Sequence, residues 1–163
     1  MPIPEFILAL RAKVGSDPLW LSGVTAVVHR DDEVLLVRRA DTGEWTPVTG
    51  IIDPAEQPAD AAVREVWEEA AVHAVPERLA LVGVSEPVLY ANGDRAQYLD
   101  LSFRLRWVSG EPHPADGENT EARWFPRDRL PPIPATMLPR LTAALDDAST
   151  TRFLAGDTLV TPG

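Results

Sequence analysis

The apolar positions at the start of the chain have helical spacing and stop before a glycine. Phe6, Ile7, Leu10 and Val14 recur on one side of a helix, and Gly15 follows them. Such a run predicts a short helix that ends near Gly15. We expect this helix to pack on the domain or on a second subunit.

The pattern then changes to two short apolar runs that are rich in β-branched residues, at residues 23–29 and 34–39. A polar turn with Asp31 and Asp32 separates the two runs. Two strand-like runs joined by a short polar turn predict a β-hairpin.

A helical pattern returns at residues 58–71. Pro58 suits the first position of a helix because the amide hydrogen that it lacks would have no partner there. On a helical wheel the segment has an apolar face and a charged face. The apolar face contains Ala62, Val63, Val66, Trp67 and Ala70. The other face contains Asp60, Ala61, Arg64, Glu65, Glu68 and Glu69.

The second half of the chain predicts further strands and a closing helix. Strand candidates at residues 79–90 and 96–108 flank a turn with Asn92 and Gly93, a pair that is typical of hairpins. The remaining elements are a short strand at residues 122–126 and a helix at residues 134–147.

Strands on both sides of one internal helix indicate a mixed β-sheet with helices packed against it, an α/β (α+β) sandwich. We divide the chain into an N-terminal helix and lead-in at residues 1–19, a main domain at residues 20–147 and a tail at residues 148–163. The tail lacks periodicity, and we expect it to be mobile.

Composition limits the size, charge and location of the protein. The chain has 163 residues, of which 45% are hydrophobic and 25% charged, as is typical of one globular domain. Its net charge of -10 opposes binding to nucleic acid and to anionic lipid. The lack of cysteine excludes disulfides, thiolate metal sites and thiol nucleophiles. The first fifteen residues resemble neither a signal peptide nor a membrane span, so we expect a soluble cytoplasmic protein.

The charged face of the predicted internal helix concentrates negative charge. Glu65, Glu68 and Glu69 lie at i, i+3 and i+4, where like charges repel by roughly 0.2–0.5 kcal/mol per pair. The small Ala61 leaves room between them for a divalent cation such as Mg²⁺, which prefers oxygen ligands and substrate phosphates. The alternative is a solvated acidic surface.

The wider spacing favours the metal site. After Gly50 come five residues and Glu56, then seven residues and Arg64-Glu65-Val66, then one residue and Glu68-Glu69. This spacing resembles the Nudix box of the Nudix hydrolases, G-x5-E-x7-R-E-U-x-E-E-x-G-U, in which U is aliphatic. Every fixed position from Gly50 to Val72 matches except the final glycine, which is Ala71 here.

The resemblance implies metal-dependent hydrolysis. By position, Glu68 and Glu69 correspond to the main metal ligands, and Glu65 to a further ligand or to the base that deprotonates a metal-bound water. Glu56 corresponds to a carboxylate that reaches the metals from the loop before the helix. The cofactor would be Mg²⁺, with Mn²⁺ as an alternative, because splitting a diphosphate needs neutralised phosphoryl oxygens and an activated water.

Two further box residues would support the carboxylates. The resemblance implies that Arg64 orients the glutamates during catalysis and that Gly50 lets the loop backbone approach the metals. It also implies a Nudix-type α/β/α sandwich over residues 20–147. Dimerisation through the first helix is a further expectation from the family.

The chain departs from the family pattern on both sides of the predicted helix. A glycine at position 71 suits a left-handed residue past a helix end, so Ala71 would cost about 0.5–1 kcal/mol there or let the helix run on toward His73. Upstream, the chain has Pro47-Val48-Thr49-Gly50 where many members have Pro-Gly-Gly, and Ala55 replaces a common glycine. These changes stiffen the loop.

Charged candidates for substrate contact lie outside the box. Arg39 ends a predicted strand, where an arginine in this family often contacts a substrate phosphate. Glu118 and Glu121 lie in the loop where relatives often place a further catalytic carboxylate. For all three residues, a solvated charge is the alternative.

Aromatic candidates for a nucleobase pocket also lie outside the box, because aromatic faces stack on bases. Trp45 and Tyr98, together with Tyr90 and Asp100, are the candidates for a nucleobase and ribose pocket. A role in the core is the alternative for the aromatic residues.

The substrate is predicted only as a class. Pro87 and Tyr90 lie fifteen and eighteen residues past Val72, positions that the family associates with ADP-ribose and with dinucleoside polyphosphates respectively. We predict hydrolysis of a pyrophosphate bond in a nucleoside diphosphate linked to a moiety X, as in a nucleoside triphosphate, an oxidised nucleotide or ADP-ribose. The alternative is a nucleotide-sensing module without turnover. An isomerase of allylic diphosphates is excluded because that reaction would need a cysteine.

Overall fold

A mixed β-sheet with helices on both faces organises residues 3–163, the part of the chain that the computed structural model describes. The helices are α1 (Glu5–Val14), α2 (Pro58–Ala70) and α3 (Leu138–Leu145). The strands are β1 (Leu19–Arg30), β2 (Glu33–Arg39), β3 (Trp45–Thr46), β4 (Val48–Ile51), β5 (His73–Val84), β6 (Val88–Leu89), β7 (Arg95–Ser109), β8 (Asn119–Pro126), β9 (Arg152–Ala155) and β10 (Thr158–Val160). This architecture confirms the predicted fold class.

The sheet combines parallel and antiparallel pairs. Its main order is β10-β9-β5-β7-β1-β2-β3, while β4 pairs with β1, β6 with β7, and β8 with β2. β1 and β7 form a long parallel pair in the centre, and β5 lies antiparallel to β7. The antiparallel β4 brings the loop before α2 to the central strand β1.

Alternate residues of the central strand face two different cores. Val24, Ala26 and Val28 of β1 belong to the hydrophobic cluster that contains α2. Val27 belongs to the cluster that contains α3. Because side chains alternate across a sheet, α2 and α3 lie on opposite faces. None of the helices in residues 3–163 is long and apolar enough to span a membrane.

The first helix and the first hairpin are confirmed. α1 ends at Val14, and Gly15 follows it with a φ of 61°. α1 packs on the domain, since Ile7 is buried against Leu21 and Ala96. Packing of α1 on a second subunit stays a prediction.

Three other elements differ from the predicted bounds. The strand expected at residues 79–90 is two strands, because β5 ends at Val84 and the separate β6 pairs with β7 across the turn at Gly93. β8 starts at Asn119, three residues before its predicted start. α3 begins only at Leu138, later than expected.

The expectation of an irregular, mobile tail is wrong for residues 152–160. β9 pairs in parallel with β5, and β10 forms a hairpin with β9 around Gly156. Leu154 and Leu159 pack into the cluster of α3. Strands of three or four residues are too short to show a two-residue period, so their pairing with the existing sheet edge was not visible in the pattern.

Candidate active site

Arg64 of α2 joins the acidic residues of the site. Its guanidinium donates two hydrogen bonds to the carboxylate of Glu56, with Nε–Oε1 and Nη2–Oε2 distances of 2.8 and 2.9 Å. Nη1 donates to Glu65 Oε1 at 2.8 Å and to Glu68 Oε2 at 3.2 Å. The pairing with Arg64 lowers the pKa of Glu56. Three carboxylates from the loop and the helix are therefore held around one cation.

The loop before α2 approaches the helix so closely that only glycine fits at position 50. A Cβ atom added to Gly50 would lie 2.0 Å from Cδ of Glu65. β4 pairs Gly50 with Val24 of β1, and Arg64 Nη2 donates to the carbonyl of Ile51 at 3.1 Å. The Glu65 carboxylate is thus enclosed between α2 and the backbone of β4.

Two glutamates of the helix are buried, which corrects the helical-wheel prediction. Glu65 is 0% exposed and Glu69 is 4% exposed, and Ala61 is buried with them. Trp67, expected on the inner face, is 48% exposed and stacks on His73 with ring centroids 4.2 Å apart. The wheel misplaced these residues because it separated the carboxylates from the apolar face that packs on the sheet.

Burial raises the pKa of both inner glutamates. The pKa of Glu65 rises to about 7 although the charge of Arg64 opposes the shift. The pKa of Glu69 rises to about 8, mainly through burial, with a hydrogen bond from Asn119 acting against it. Glu118 adds negative charge that raises both values. The hydrogen-bond donors at the site therefore do not fully neutralise the negative charge of its buried carboxylates.

Asn119 is a site residue that the sequence did not reveal. It is 6% exposed, and its Nδ2 donates to Glu69 Oε2 at 2.7 Å. The loop before it also caps α2, because the amides of His113 and Ala115 donate to the carbonyls of Ala70 and Glu69. Asn119 lies fifty residues from Glu69, and no local motif marks a polar residue at the start of a strand.

Alanines occupy left-handed conformations on both sides of α2. Ala71 has φ 54° and ψ 34° and caps the helix, so the helix does not run on toward His73. Ala55 has a φ of 68°. A Cβ atom on the neighbouring Gly110 would lie 2.6 Å from the carbonyl oxygen of Ala71, so the loop after β7 packs tightly on this end. The backbone shape that glycine normally supplies is retained here with alanine.

The donor chemistry of the site fits a hard divalent cation. Among the described residues, Glu65 Oε2 is buried without a hydrogen-bond partner. A buried anionic oxygen without a donor is costly unless a cation compensates it. No three histidine or acidic side chains within residues 3–163 converge into a ready-made metal cluster, however, because Arg64 holds several of these carboxylates. Glu56 and Glu68 would have to turn from Arg64 toward the ion.

Arg39 and Glu118 lie near the carboxylates. Arg39 makes two hydrogen bonds to Asp41, at 2.9 and 2.7 Å, and these raise the pKa of Arg39. The charges of Glu69 and Glu118 act on Arg39 in the same direction. Strand pairing of β2 with β8 places Arg39 opposite Asn119. Contact of Arg39 with a substrate phosphate stays a prediction.

The other candidates lie elsewhere. Trp45 packs edge-on against Phe125 at 4.8 Å in the cluster of α3. Tyr98 packs beside α1, and its hydroxyl hydrogen-bonds that of Tyr90 at 2.5 Å. Burial raises the pKa of Tyr98.

Two acidic candidates are engaged in ion pairs away from α2. Glu121 accepts a hydrogen bond from Arg38 at 3.1 Å. Asp100 is buried and accepts one from Arg140 of α3 at 2.9 Å. Neither residue joins the carboxylates that Arg64 holds.

Comparisons with known proteins show what the chain is similar to. The chain is 36% identical over 111 residues to the NAD-capped RNA hydrolase NudC of Pseudomonas aeruginosa, an alignment that covers 67% of this chain and 37% of that protein. It is 33% identical over 135 residues to a MutT-like protein of Streptomyces ambofaciens, with 82% of each chain covered.

A solved structure is similar to this chain over most of its length. The crystal structure of an ADP-ribose pyrophosphatase from Streptococcus suis superposes with a TM-score of 0.60 at 25% identity, covering 82% of this chain and 98% of that one. The sequence model of the NUDIX domain matches residues 20–145. The chain therefore belongs to the NUDIX domain family.

Proposed function

We propose that this protein hydrolyses a pyrophosphate bond in a nucleoside diphosphate linked to another moiety X, with Mg²⁺ or Mn²⁺ as the cofactor. The observation that carries the proposal is the buried Glu65 carboxylate, whose Oε2 has no hydrogen-bond partner among the described residues. A binding module without turnover gains nothing from a buried, uncompensated carboxylate, because its charge destabilises the fold. Membership of the NUDIX family supports the same conclusion.

The acidic residues divide into two groups in this mechanism. Glu56 and Glu68 are partly exposed and would be turned from Arg64 toward the metal as ligands. Glu69, fixed by Asn119, would supply a ligand from the buried side. When bound, the metal would neutralise phosphoryl oxygens and activate a water.

Glu65 is proposed as a further ligand or as the base. A group with a pKa of about 7 accepts a proton readily near neutral pH. Arg64 keeps Glu65 Oε1 in place through its 2.8 Å hydrogen bond. Arg39 would exchange Asp41 for a substrate phosphate, because both present two oxygens to the guanidinium.

The relatives suggest which substrates to test. One is named for NAD-capped RNA and another for ADP-ribose. We propose a free nucleotide derivative rather than a nucleic acid, because a net charge of -10 repels polyanions. A cytoplasmic location and a homodimer are further proposals.

The test is product release from a substrate panel. The panel contains nucleoside triphosphates, 8-oxo-dGTP, ADP-ribose, NADH, diadenosine polyphosphates and nucleotide sugars, each with Mg²⁺, with Mn²⁺ and with EDTA. We expect metal-dependent turnover of at least one compound, lost in Glu68→Gln and kept in Glu86→Gln. Glu86 is an exposed acid between β5 and β6 and serves as the matched control.

Two results would contradict the proposal. Equal turnover with EDTA and with metal would exclude metal-dependent hydrolysis. Tight nucleotide binding without turnover of any compound would instead identify a sensing module.

A further inference from the structure

A cleft lies between the start of α1 and the carboxylates of α2. Its volume is about 580 Å³, within the range of ligand pockets, roughly 300–1,000 Å³. Ile3, Pro4 and Leu8 line one side of it. Asp53, Glu68 and Asp116 line the other side. Since Glu68 is a proposed metal ligand, the cleft is continuous with the candidate active site.

The apolar side of the cleft is exposed. Ile3 is 50% exposed and Leu8 is 53% exposed. α1 is nevertheless firmly attached, because Ile7 is buried against the sheet and Arg11 donates to the carbonyl of Arg95 at 2.6 Å. Ile3, just before α1, and Leu8 of α1 therefore form a fixed apolar wall of the cleft that Glu68 also lines.

The charge of the cleft limits what can occupy it. Among the described lining residues Glu5 is acidic like the three residues of the opposite side, and Glu68 accepts a hydrogen bond from Arg64 at 3.2 Å. An end group without negative charge suits this mostly acidic lining better than a free phosphate or carboxylate group. A neutral or cationic ring would also cover the apolar wall.

We propose that this cleft binds a ring-bearing, non-anionic end group of the substrate, such as a nucleobase or nicotinamide, while its diphosphate lies at the carboxylates of α2. This inference rests on the proposed function, and it assigns to α1 a role in substrate specificity. α1 precedes residues 20–145, the part that matches the family, so this wall is supplied from outside the shared domain.

The test compares two leucines of the same helix. Leu8 lines the cleft, while Leu10 is also exposed, at 39%, but does not line it. Steady-state kinetics are measured with the panel compound that the wild-type protein hydrolyses best. We expect Leu8→Ala to raise KM about five-fold with kcat within about two-fold, because it removes contact made equally in the ground and transition states. Leu10→Ala should leave both constants unchanged, and Leu8→Met should restore KM.

The outcomes separate the two proposals. Wild-type turnover with equal KM in Leu8→Ala and Leu10→Ala would overturn the subsite and leave the hydrolase proposal standing. An unchanged KM with an altered mass in sedimentation analysis would identify a second copy of the chain as the occupant and also overturn it. No turnover by the wild-type protein would overturn the hydrolase proposal and the subsite with it.

Discussion

The two faces of the sheet each bury a carboxylate, and they treat it in opposite ways. On the side of α3, Asp100 is 5% exposed and accepts hydrogen bonds from Thr25, Ser102 and Arg140 at 2.7–2.9 Å. On the side of α2, Glu65 is 0% exposed, and only its Oε1 accepts a hydrogen bond from a described residue, Arg64.

The difference separates an acid that is fully paired within the fold from the one on which the proposed function rests. Each oxygen of Asp100 has a donor, so its charge ties α3 to the sheet. Glu65 Oε2 lacks a donor among the described residues, so its charge costs stability until a cation compensates it. Burial alone therefore does not distinguish Glu65 from Asp100, whereas the oxygen of Glu65 without a hydrogen-bond partner does.

The backbone shows the same contrast. The residue that follows α2 is the left-handed Ala71, whereas the residue that follows α3 is Asp146, with an ordinary φ of -75°. Arg78 and Arg104 donate to the last carbonyls of α3. The left-handed backbone of Ala71 thus lies at the end of the helix that carries the carboxylates. The end of α3 on the opposite face is capped without such a residue.

Glu65→Gln should have the largest effect on activity and an opposite effect on stability. We expect kcat to fall about 10²–10⁴-fold, as for loss of a base or ligand. At pH 8.5 without metal, the free energy of unfolding should rise by about 1–3 kcal/mol, because a neutral amide replaces a disfavoured charge. Kinetics and urea denaturation of the same preparation check both. Lower stability with full activity would reverse the contrast with Asp100.

Asp100→Asn should have the opposite effects, a loss of stability with nearly unchanged activity. Removing one partner of a buried pair leaves the charge of Arg140 uncompensated, so we expect unfolding to become easier by about 3–5 kcal/mol. Activity per folded molecule should change less than about two-fold, since Asp100 lies on the face away from α2. Urea denaturation and kinetics at 10 °C measure the two quantities. A large loss of kcat in folded protein would show that Asp100 belongs to the active site.

The metal-free protein should become less stable as the pH rises from about 5 to 9. The pKa of Glu65 in the folded state is about 7 and that of Glu69 about 8, against an ordinary value of 4.5. The native state therefore holds more protons than the unfolded chain in this window, and stability is lost as these protons leave. We expect a loss of several kcal/mol, since a difference of one pKa unit corresponds to about 1.36 kcal/mol.

Added Mg²⁺ should flatten this dependence, and Glu65→Gln should reduce it, because Glu69 still titrates in that variant. Unfolding is followed in urea at several pH values with EDTA or with Mg²⁺. A flat profile in the metal-free wild-type protein would show that the buried glutamates have other donors.

The structure brings the residues of the box motif together because they are local in sequence. One helix and the loop before it carry Gly50, Glu56, Arg64, Glu65 and Glu68, so their spacing fixes their arrangement. The mixed β-sheet with packed helices was also predictable, because the hydrophobic runs that mark its strands and helices are local in sequence. Both predictions rest on interactions within short segments.

Long-range features could not be predicted in this way. Asn119 reaches Glu69 through the pairing of β8 with β2, and that register is set by tertiary contacts. The burial of Glu65 depends on the close approach of β4 to α2. The role of α1 as a wall beside Glu68 likewise appears only when the chain is folded.

The smallest expected effect tests the strain on the α2 side. Ala71 has a φ of 54°, where alanine is disfavoured and glycine is not. We expect Ala71→Gly to stabilise the metal-free protein by about 0.5–1 kcal/mol, since relief of this strain exceeds the entropy cost of glycine in the unfolded chain. The control is Ala70→Gly, one residue earlier and helical, which should destabilise by about 1 kcal/mol or more because glycine is a poor helix former. Urea denaturation of both variants measures the difference. If both variants lose stability equally, position 71 is not strained, and the backbone contrast between the ends of α2 and α3 fails.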